Sequence, residues 1–572
     1  MRGTHVRAQS LPSILLVFVP LIIIHVKRPL AWLCLLLALC LFACKREPAT
    51  VQQSTATPVD DTTPRDGGTL VRRLDADIVT LNAAAVNGRY DNYVAQYLFT
   101  PMIYIDRDLR PMPGLAKSWD ISKDGKVYRF SLNEKATFSD GTPVRASDVL
   151  FTLRKIVDPA SEAVQTAGLF ELFDPAHSRV IDDHTVEIVF REALAGQLER
   201  FKDVYVVPEH VYSKGDFRKD YNSTAVGNGP YKLVRRDVGK EIVLQRRDDY
   251  WGTKPHIQTI IFKVILDHGT AWSALKKQEI DETLIASDTW LREHSNPALT
   301  RYLDFRRFYA LNYNYVAWNE HNPLFADKRV RRALSMCIPT DSIINDLYHG
   351  TARAMSAHFT PDQWAYNPNV PVIRYDVDEA KKILAGLGWA DKDNDGVLEN
   401  GTKKFEFDLL ALSGSATGKQ LLQLVQAEMK KAGINVNLVI LDGAAAIQRI
   451  LGGNYDAAYL AWDLDPDPDP YNLFHSSQTP PHGQNLVYYS NPEADRLIDT
   501  ARRELDRSKR KELYQRLHEV LYEDQPYTWV VQASLKWGIN KRVRGVDASP
   551  GFGLYLWYPG ELGWWIASAP QK

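Results

Sequence analysis

The sequence predicts an α/β protein of two lobes joined by two chain crossings. Its 572 residues are enough for several structural units, since domains average roughly 150 residues. Strand-like alternation dominates residues 67–311, whereas helical periodicity dominates residues 312–526. Residues 527–572 resemble the strand-rich pattern of residues 67–311 again, so the chain leaves one lobe, builds a second and comes back. Two crossings at one edge form a hinge with a cleft that suits closure on a ligand.

The overall composition excludes several protein classes. Apolar residues make up 45% and charged residues 24%, which is typical of water-soluble globular proteins and excludes coiled coils, collagen and polytopic membrane proteins. Lys and Arg number 69 against 70 for Asp and Glu, so no charge excess points to nucleic acid. Composition alone names no function.

The first 44 residues differ from the rest. They contain no acidic residue and two apolar runs, each shorter than the ~20 residues of a membrane-spanning helix. The second run follows Lys27 and Arg28 and ends in small residues, which is the layout of a secretory signal. Its end, Leu-Phe-Ala-Cys, resembles the bacterial lipoprotein box, which implies a lipid on Cys44. An ordinary signal or a membrane anchor is the alternative.

Residues 26–44 alone form a complete signal, so we interpret residues 1–25 as an over-extended gene start with Val26 as the true initiator. Residues 45–66 are rich in Thr, Pro, Asp and Gln and predict a flexible tether. A lipid, a tether and a folded body together predict a protein held outside a bacterial membrane.

The body shows two kinds of periodicity. In the first lobe, alternation predicts strands at 127–132, 185–190 and 241–246, and apolar residues on both faces predict a buried strand at 257–266. In the second lobe, helix, strand and helix follow in close order, as in α/β folds. The predicted helices are 327–338, 376–387, 419–432, 442–451, 492–505 and 508–523, and the predicted strands are 434–441 and 527–531.

The motifs of common enzymes are missing from the sequence. It contains no Gly-x-Ser-x-Gly, no His-Glu-x-x-His and no phosphate-binding loop. Cysteine and histidine spacing offers no zinc site. Cys337 lies on the apolar side of a predicted helix, which indicates a buried, unreactive thiol.

One acidic turn resembles half of a calcium loop. Asp391, Asp393 and Asp395 supply oxygens at positions 1, 3 and 5, and Gly396 stands at position 6. Position 12 is Thr402 instead of the bidentate Glu. A polar turn without metal is therefore the alternative.

The most informative stretch is Trp462-Asp463-Leu464-Asp465-Pro466-Asp467-Pro468-Asp469-Pro470. It follows a strand-like segment, and its alternating prolines enforce an extended loop. Carboxylates beside an aromatic ring at a strand end suit a cationic group. A solvated acidic turn is equally compatible with the sequence.

Four segments resemble the bacterial family-5 extracytoplasmic solute-binding proteins, the oligopeptide- and dipeptide-binding components of ABC importers. They fall in family order over roughly residues 67–560. The segments are 138–149 (Phe-Ser-Asp-Gly-Thr-Pro onward), Gly229-Pro230-Tyr231 with Asp249-Tyr250-Trp251, Val330-Arg331-Arg332-Ala333-Leu334, and Trp462 with the Asp-Pro loop.

The resemblance implies a periplasmic-binding-protein (flytrap) fold with an extra subdomain in the first lobe, and no catalysis or cofactor. It implies a peptide ligand, an ABC permease and ATPase as partners, a monomer, and a location in the periplasm or at the cell surface. In the peptide binders an Asp three residues after a pocket Trp receives the ligand's α-amino group. The matching residues are Trp462 and Asp465, with Asp463 or Asp467 as alternatives in the repeated loop.

Three other functions remain as alternatives, one of them a binding component that acts as a sensor or chaperone. Other members of the family bind nickel chelates, opines or oligosaccharides, which would use the same cleft. An exported, lipid-anchored hydrolase with paired carboxylates is the more distant alternative.

Overall fold

The computed structural model describes residues 63–86, 88–413, 416–481, 483–550 and 553–567. The predicted signal, the lipid site Cys44, the alternative start Val26 and most of the tether lie outside these residues. Within them, each helix is too short or too polar to cross a bilayer. Asp66, which we assigned to the tether, forms an ion pair with Arg246 at 3.3 Å and therefore belongs to the folded body.

The strands form three larger sheets and several two-stranded ones. In chain order they are β1 (Thr69–Leu74), β2 (Ile103–Ile105), β3 (Pro111–Pro113), β4 (Ala116–Ile121), β5 (Val127–Leu132), β6 (Arg179–Asp182), β7 (Thr185–Val189), β8 (Tyr231–Asp237), β9 (Glu241–Arg246), β10 (Thr259–Val264), β11 (Glu282–Leu284), β12 (Leu303–Phe308), β13 (Asn312–Trp318), β14 (Ala352–Ala354), β15 (Glu399–Asn400), β16 (Lys403–Lys404), β17 (Glu406–Leu412), β18 (Asn435–Leu441), β19 (Ala457–Asp463), β20 (Tyr527–Ala533), β21 (Leu535–Asn540), β22 (Val543–Arg544) and β23 (Trp565–Ile566).

The α-helices concentrate in the second half of the chain. They are α1 (Arg89–Leu98), α2 (Ala146–Val157), α3 (Val164–Leu169), α4 (Glu209–Tyr212), α5 (His268–Lys276), α6 (Ser287–Glu293), α7 (Pro297–Thr300), α8 (Lys328–Met336), α9 (Thr340–Ser342), α10 (Val377–Gly386), α11 (Ala416–Lys431), α12 (Gly443–Leu451), α13 (Tyr471–Phe474), α14 (Pro492–Arg503) and α15 (Arg507–Asp524). Short 3-10 helices include Glu199–Asp203 and Gly560–Gly563.

The first lobe is built on a seven-stranded sheet in the order β12-β21-β11-β1-β10-β9-β8. Strand β1 runs parallel to β10 and β11, and the other neighbours are antiparallel. A large apolar core joins this sheet to the subdomain described next and includes Leu70, Leu244 and Phe262.

An antiparallel sheet in the order β4-β5-β7-β6 forms an extra subdomain of the first lobe. Phe130 of β5 packs against Phe201 with ring centroids 4.6 Å apart. Because Phe201 is fully buried on the 3-10 helix Glu199–Asp203, this contact fixes the neighbouring Arg200 and Lys202 in place. Both basic residues contact the second lobe.

The second lobe is built on a six-stranded sheet in the order β14-β20-β13-β19-β17-β18. Side chains alternate along β13: Val316 and Trp318 join one core, whereas Tyr313, Tyr315 and Ala317 join another. Both faces of the sheet are therefore covered, as expected for strands in an α/β layer. The two-lobed α/β fold with an extra subdomain is confirmed.

The chain crosses between the lobes twice, at positions that lie side by side. Residues 309–311 join β12 to β13, and Ser534 joins β20 to β21. The flanking strands pair within each sheet, β12 with β21 and β13 with β20. The predicted boundary after residue 526 is wrong, because β20 belongs to the second sheet and the return begins only at Ser534.

Most predicted elements appear within a few residues of their expected limits. The predicted helix 376–387 corresponds to α10, and Asp376 caps it by accepting from the Glu379 amide. Asp442 caps α12 in the same way, through the Ala445 amide. Cys337 is buried as predicted, and burial raises the pKa of its thiol to about 12, which agrees with an unreactive core residue.

Candidate functional site

Strand register places Trp462 beside the crossing between the lobes. Trp462 is the last but one residue of β19 and lies opposite Tyr313 of β13, and its indole stacks on Tyr315 with centroids 6.1 Å apart. Two residues later the Leu464 amide donates to the carbonyl of Leu311 at 2.7 Å. The Asp-Pro loop is thus tied at its start to the connecting segment 309–311.

Asp467 is bound by an arginine of its own lobe. Its two carboxylate oxygens accept from the Arg510 guanidinium at 2.8 and 2.9 Å, and the Arg510 side chain is only 6% exposed. Gly196 of the subdomain, with φ +76°, also approaches this carboxylate, since a Cβ there would stand 2.5 Å from the Asp467 carboxyl carbon. Asp467 is therefore neutralised and enclosed.

Asp469 joins the two lobes. Its Oδ2 accepts from Arg502 of α14 at 3.0 Å and from Arg200 of the subdomain at 3.3 Å. The Arg502 guanidinium also lies 3.6 Å from the ring centroid of Tyr471. Nearby, the Ala195 amide donates to the Arg502 carbonyl at 2.7 Å, which adds a main-chain bond between subdomain and second lobe.

Asp465 differs from both neighbours because its side chain is 69% exposed. Its partner is the Lys202 ammonium of the first lobe, whose Nζ lies 3.8 Å from Oδ1. Lys202 is held by Asp203 at 2.6 Å. Burial lowers the pKa of Lys202, but the carboxylates of Asp203 and Asp465 outweigh it and raise the pKa overall.

Lys202 and Asp203 also line a cleft in the first lobe. The space between its walls is about 560 Å³, its open mouth included, and its lining includes Tyr104, Tyr205, Trp557 and Glu561. A lining that mixes aromatic and charged side chains is typical of pockets for small ligands. Through Lys202 the cleft adjoins Asp465 of the second lobe.

The acidic turn proposed for calcium brings its three carboxylates together, within 4.8 Å of one another, on the surface. The Lys404 ammonium lies 3.2 Å from Asp393 and also bonds Asp395. Its hydrogen bond lowers the pKa of Asp395, and Asp391 accepts from the Gly396 amide. Because Lys404 supplies the positive charge from within the chain, the geometry favours the polar turn.

The sequence did not reveal the partners of the Asp-Pro loop. Arg510 and Arg502 lie on amphipathic helices, where basic residues are ordinarily solvated, and Arg200 lies 269 residues from Asp469. Linear spacing carries no signal for such pairs. Glu561 was also missed, since it lies in a tail that we interpreted only as strand-like.

Comparison with known proteins places these features in a family. The model of the family described as bacterial extracellular solute-binding proteins, family 5 Middle, matches residues 110–485. The oligopeptide-binding protein AppA of Bacillus subtilis (strain 168) is 27% identical over 513 residues, covering 88% of this chain and 92% of AppA.

Two solved structures have similar folds. The structure of AppA from Bacillus subtilis in complex with a nonapeptide gives a TM-score of 0.75 at 26% identity, covering 88% of this chain and 100% of AppA. The structure of NikZ from Campylobacter jejuni in complex with Ni(L-His) gives a TM-score of 0.75 at 25% identity, covering 87% of this chain and 99% of NikZ.

Proposed function

The chain belongs to the bacterial extracellular solute-binding proteins of family 5, and from this premise we propose that it captures peptides between its lobes for an ABC importer. The observation that carries the peptide assignment is the likeness to AppA, an oligopeptide-binding protein matched over nearly the whole of both chains. Members of this family bind solutes, and the chain's role is to deliver the peptide unchanged to a membrane permease and its ATPase.

Asp465 receives the α-ammonium group of the peptide, and Trp462 forms the adjoining wall. The contacts of the loop support this choice among the repeated acids. Asp467 is engaged by Arg510 and Asp469 by two arginines, whereas Asp465 is largely exposed and faces the first lobe. A buried ammonium without a partner costs several kcal/mol, so one fixed carboxylate is required.

Closure of the lobes encloses the peptide. The paired crossings at 309–311 and Ser534 act as the hinge, and the Arg200–Asp469 ion pair joins the lobes on the subdomain side. A ligand closes the lobes only by binding the shut state more tightly than the open one. An affinity near micromolar, about −8 kcal/mol, suffices for capture and still permits release.

A lipid on Cys44 and the following tether hold the protein at a bacterial membrane, in the periplasm or at the cell surface, as a monomer. This assignment comes from the sequence, because Cys44 lies outside the described residues. Replacing Cys44 with Ser should move the protein from the membrane fraction to the soluble fraction. The conservative Cys337→Ser variant serves as control, and membrane retention of Cys44→Ser would contradict the anchor.

The bound solute can be identified directly. The purified body is denatured, and released molecules are identified by mass spectrometry. Peptides with free amino termini are the expected result. NikZ, with Ni(L-His) bound, has a similar fold, so a metal chelate is the second candidate, and its recovery in place of peptides would replace the peptide assignment. Opines and oligosaccharides would be recognised in the same spectrum, and cleavage of added peptides or glycosides would indicate a hydrolase.

A further inference from the structure

A buried ionic cluster with more carboxylates than cations lies behind the cleft of the first lobe. Arg72 bonds Glu282 through Nε at 2.9 Å, and its Nη1 lies 3.6 Å from Oε1 of Glu561. Tyr97 donates its hydroxyl to the same Oε1 at 3.1 Å. The single guanidinium therefore serves two carboxylates, and Glu561 has the longer of the two contacts.

The second oxygen of Glu561 is unsatisfied. Glu561 is 4% exposed, and its Oε2 is buried without a hydrogen-bond partner among the described residues. Burial raises the pKa of Glu561, although Arg72 opposes this. A buried carboxylate oxygen without a donor is costly, so a ligand that brings a donor to this oxygen gains affinity.

Glu561 belongs to the wall of the cleft that Lys202 shares with Asp465. The charged residues of its lining are one cation, Lys202, and two carboxylates, Asp203 and Glu561. Asp203 already has Lys202 as its partner at 2.6 Å, whereas Glu561 shares the Arg72 guanidinium with Glu282.

We propose that the cleft takes a cationic side chain of the peptide, lysine or arginine, with Glu561 as its acceptor. The inference rests on the proposed function, since the peptide's amino group at Asp465 sets the distance of this side chain from the cleft. The aromatic walls, Tyr104, Tyr205 and Trp557, cover the aliphatic part of such a side chain. The unbound Oε2 of Glu561 accepts from the charged end.

The test measures affinities of matched peptides for the intact protein by calorimetry. Trialanine variants carry lysine or norleucine at the first or the second position, because an extended peptide turns successive side chains to opposite faces. Arginine and citrulline form a second pair of equal size. At one of these two positions, the cationic peptide should bind at least about tenfold more tightly than its neutral match. This is the scale of a hydrogen bond to a charged group.

Glu561→Gln should remove that preference while the norleucine peptide still binds, which also shows that the variant folds. Glu134→Gln, at an exposed carboxylate that pairs with Lys117 and is not part of the cleft lining, is the matched control and should keep the preference. If the wild type binds cationic and neutral peptides equally at both positions, the inference is overturned, but peptide capture remains intact. Failure of every peptide to bind overturns both.

Discussion

The Lys202 ammonium of the first lobe lies 3.8 Å from the Asp465 carboxylate of the second. At this distance the two charges attract but do not form a hydrogen bond. Asp203 holds Lys202 more closely, at 2.6 Å, so Asp465 keeps its capacity to accept from a ligand. The pair thus marks where both lobes contribute charge to one site.

Asp465→Asn should weaken the binding of peptides with a free amino terminus by more than about tenfold, because a buried ammonium loses its ionic partner. N-acetylated versions of the same peptides should bind the variant and the wild type almost equally. Titration calorimetry with each peptide pair measures both effects. Asp463→Asn, a change of the same kind in the same loop, is the control; equal losses for free and acetylated peptides would redirect the assignment to a neighbouring Asp.

Asp467→Asn should lower stability and have a smaller effect on affinity. The substitution leaves the buried Arg510 without its charged, bidentate partner, a loss of roughly 3 kcal/mol. Differential scanning calorimetry should show a lower unfolding temperature than for Asp465→Asn. If Asp467→Asn instead melted like the wild type and lost only peptide binding, the amino-group site would lie at Asp467.

Arg200→Met should make the closed state less favourable. Asp469 keeps its hydrogen bond with Arg502, so the second lobe stays folded while one ion pair between the lobes is lost. Peptide affinity should fall about threefold, the scale of a partly exposed ion pair, and small-angle scattering should give a larger radius of gyration. Arg218→Met, which breaks the surface pair with Glu162 inside the first lobe, should change neither quantity.

Stability should fall as the pH rises because of Glu320. Burial raises the pKa of Glu320 to about 7, although Arg331, 3.2 Å away, opposes this. The folded state then binds the proton on Glu320 more tightly than the unfolded state does. The stabilisation that Glu320 contributes is therefore complete below about pH 4.5, and about 3 kcal/mol of it is lost as the pH rises through 7.

Glu320→Gln removes this titration, and Arg331 keeps its hydrogen bonds to the carbonyl oxygens of Phe325 and Asp524. Unfolding temperatures at pH 5 and pH 8 should therefore differ less for Glu320→Gln than for the wild type. Glu512→Gln, at an exposed position, should retain the wild-type difference. An identical pH dependence in all three proteins would contradict the assignment to Glu320.

Most helices and strands were predictable because the periodicity of apolar residues within each segment indicates which of the two it forms. The strand 127–132 alternates, and β5 has the same limits. The helix after Asp442 was predicted from its cap and apolar face, and α12 follows that residue. The boundary at 526 failed for a different reason: the apolar run that became β20 shows a buried strand but carries no information about which sheet it joins.

The site was predictable only where a local motif marks it. Trp462 and Asp465 stand close together in the sequence, and the family resemblance gave them roles. The contacts that distinguish Asp465 from Asp467 and Asp469 come from Lys202, Arg510 and Arg200, and sequence separation hides such partners. No sequence pattern marks Glu561, because its role depends on the contact with Arg72, which it shares with Glu282.

In the proposed function, two lobes close on a peptide and leave it chemically intact. Both points can be measured together: small-angle scattering of the purified body is recorded with and without a pool of defined peptides, and the recovered pool is analysed by mass spectrometry. We predict a smaller radius of gyration with peptides present and recovery of every peptide uncleaved. Unchanged scattering with all of them, or shortened products, would contradict the claim.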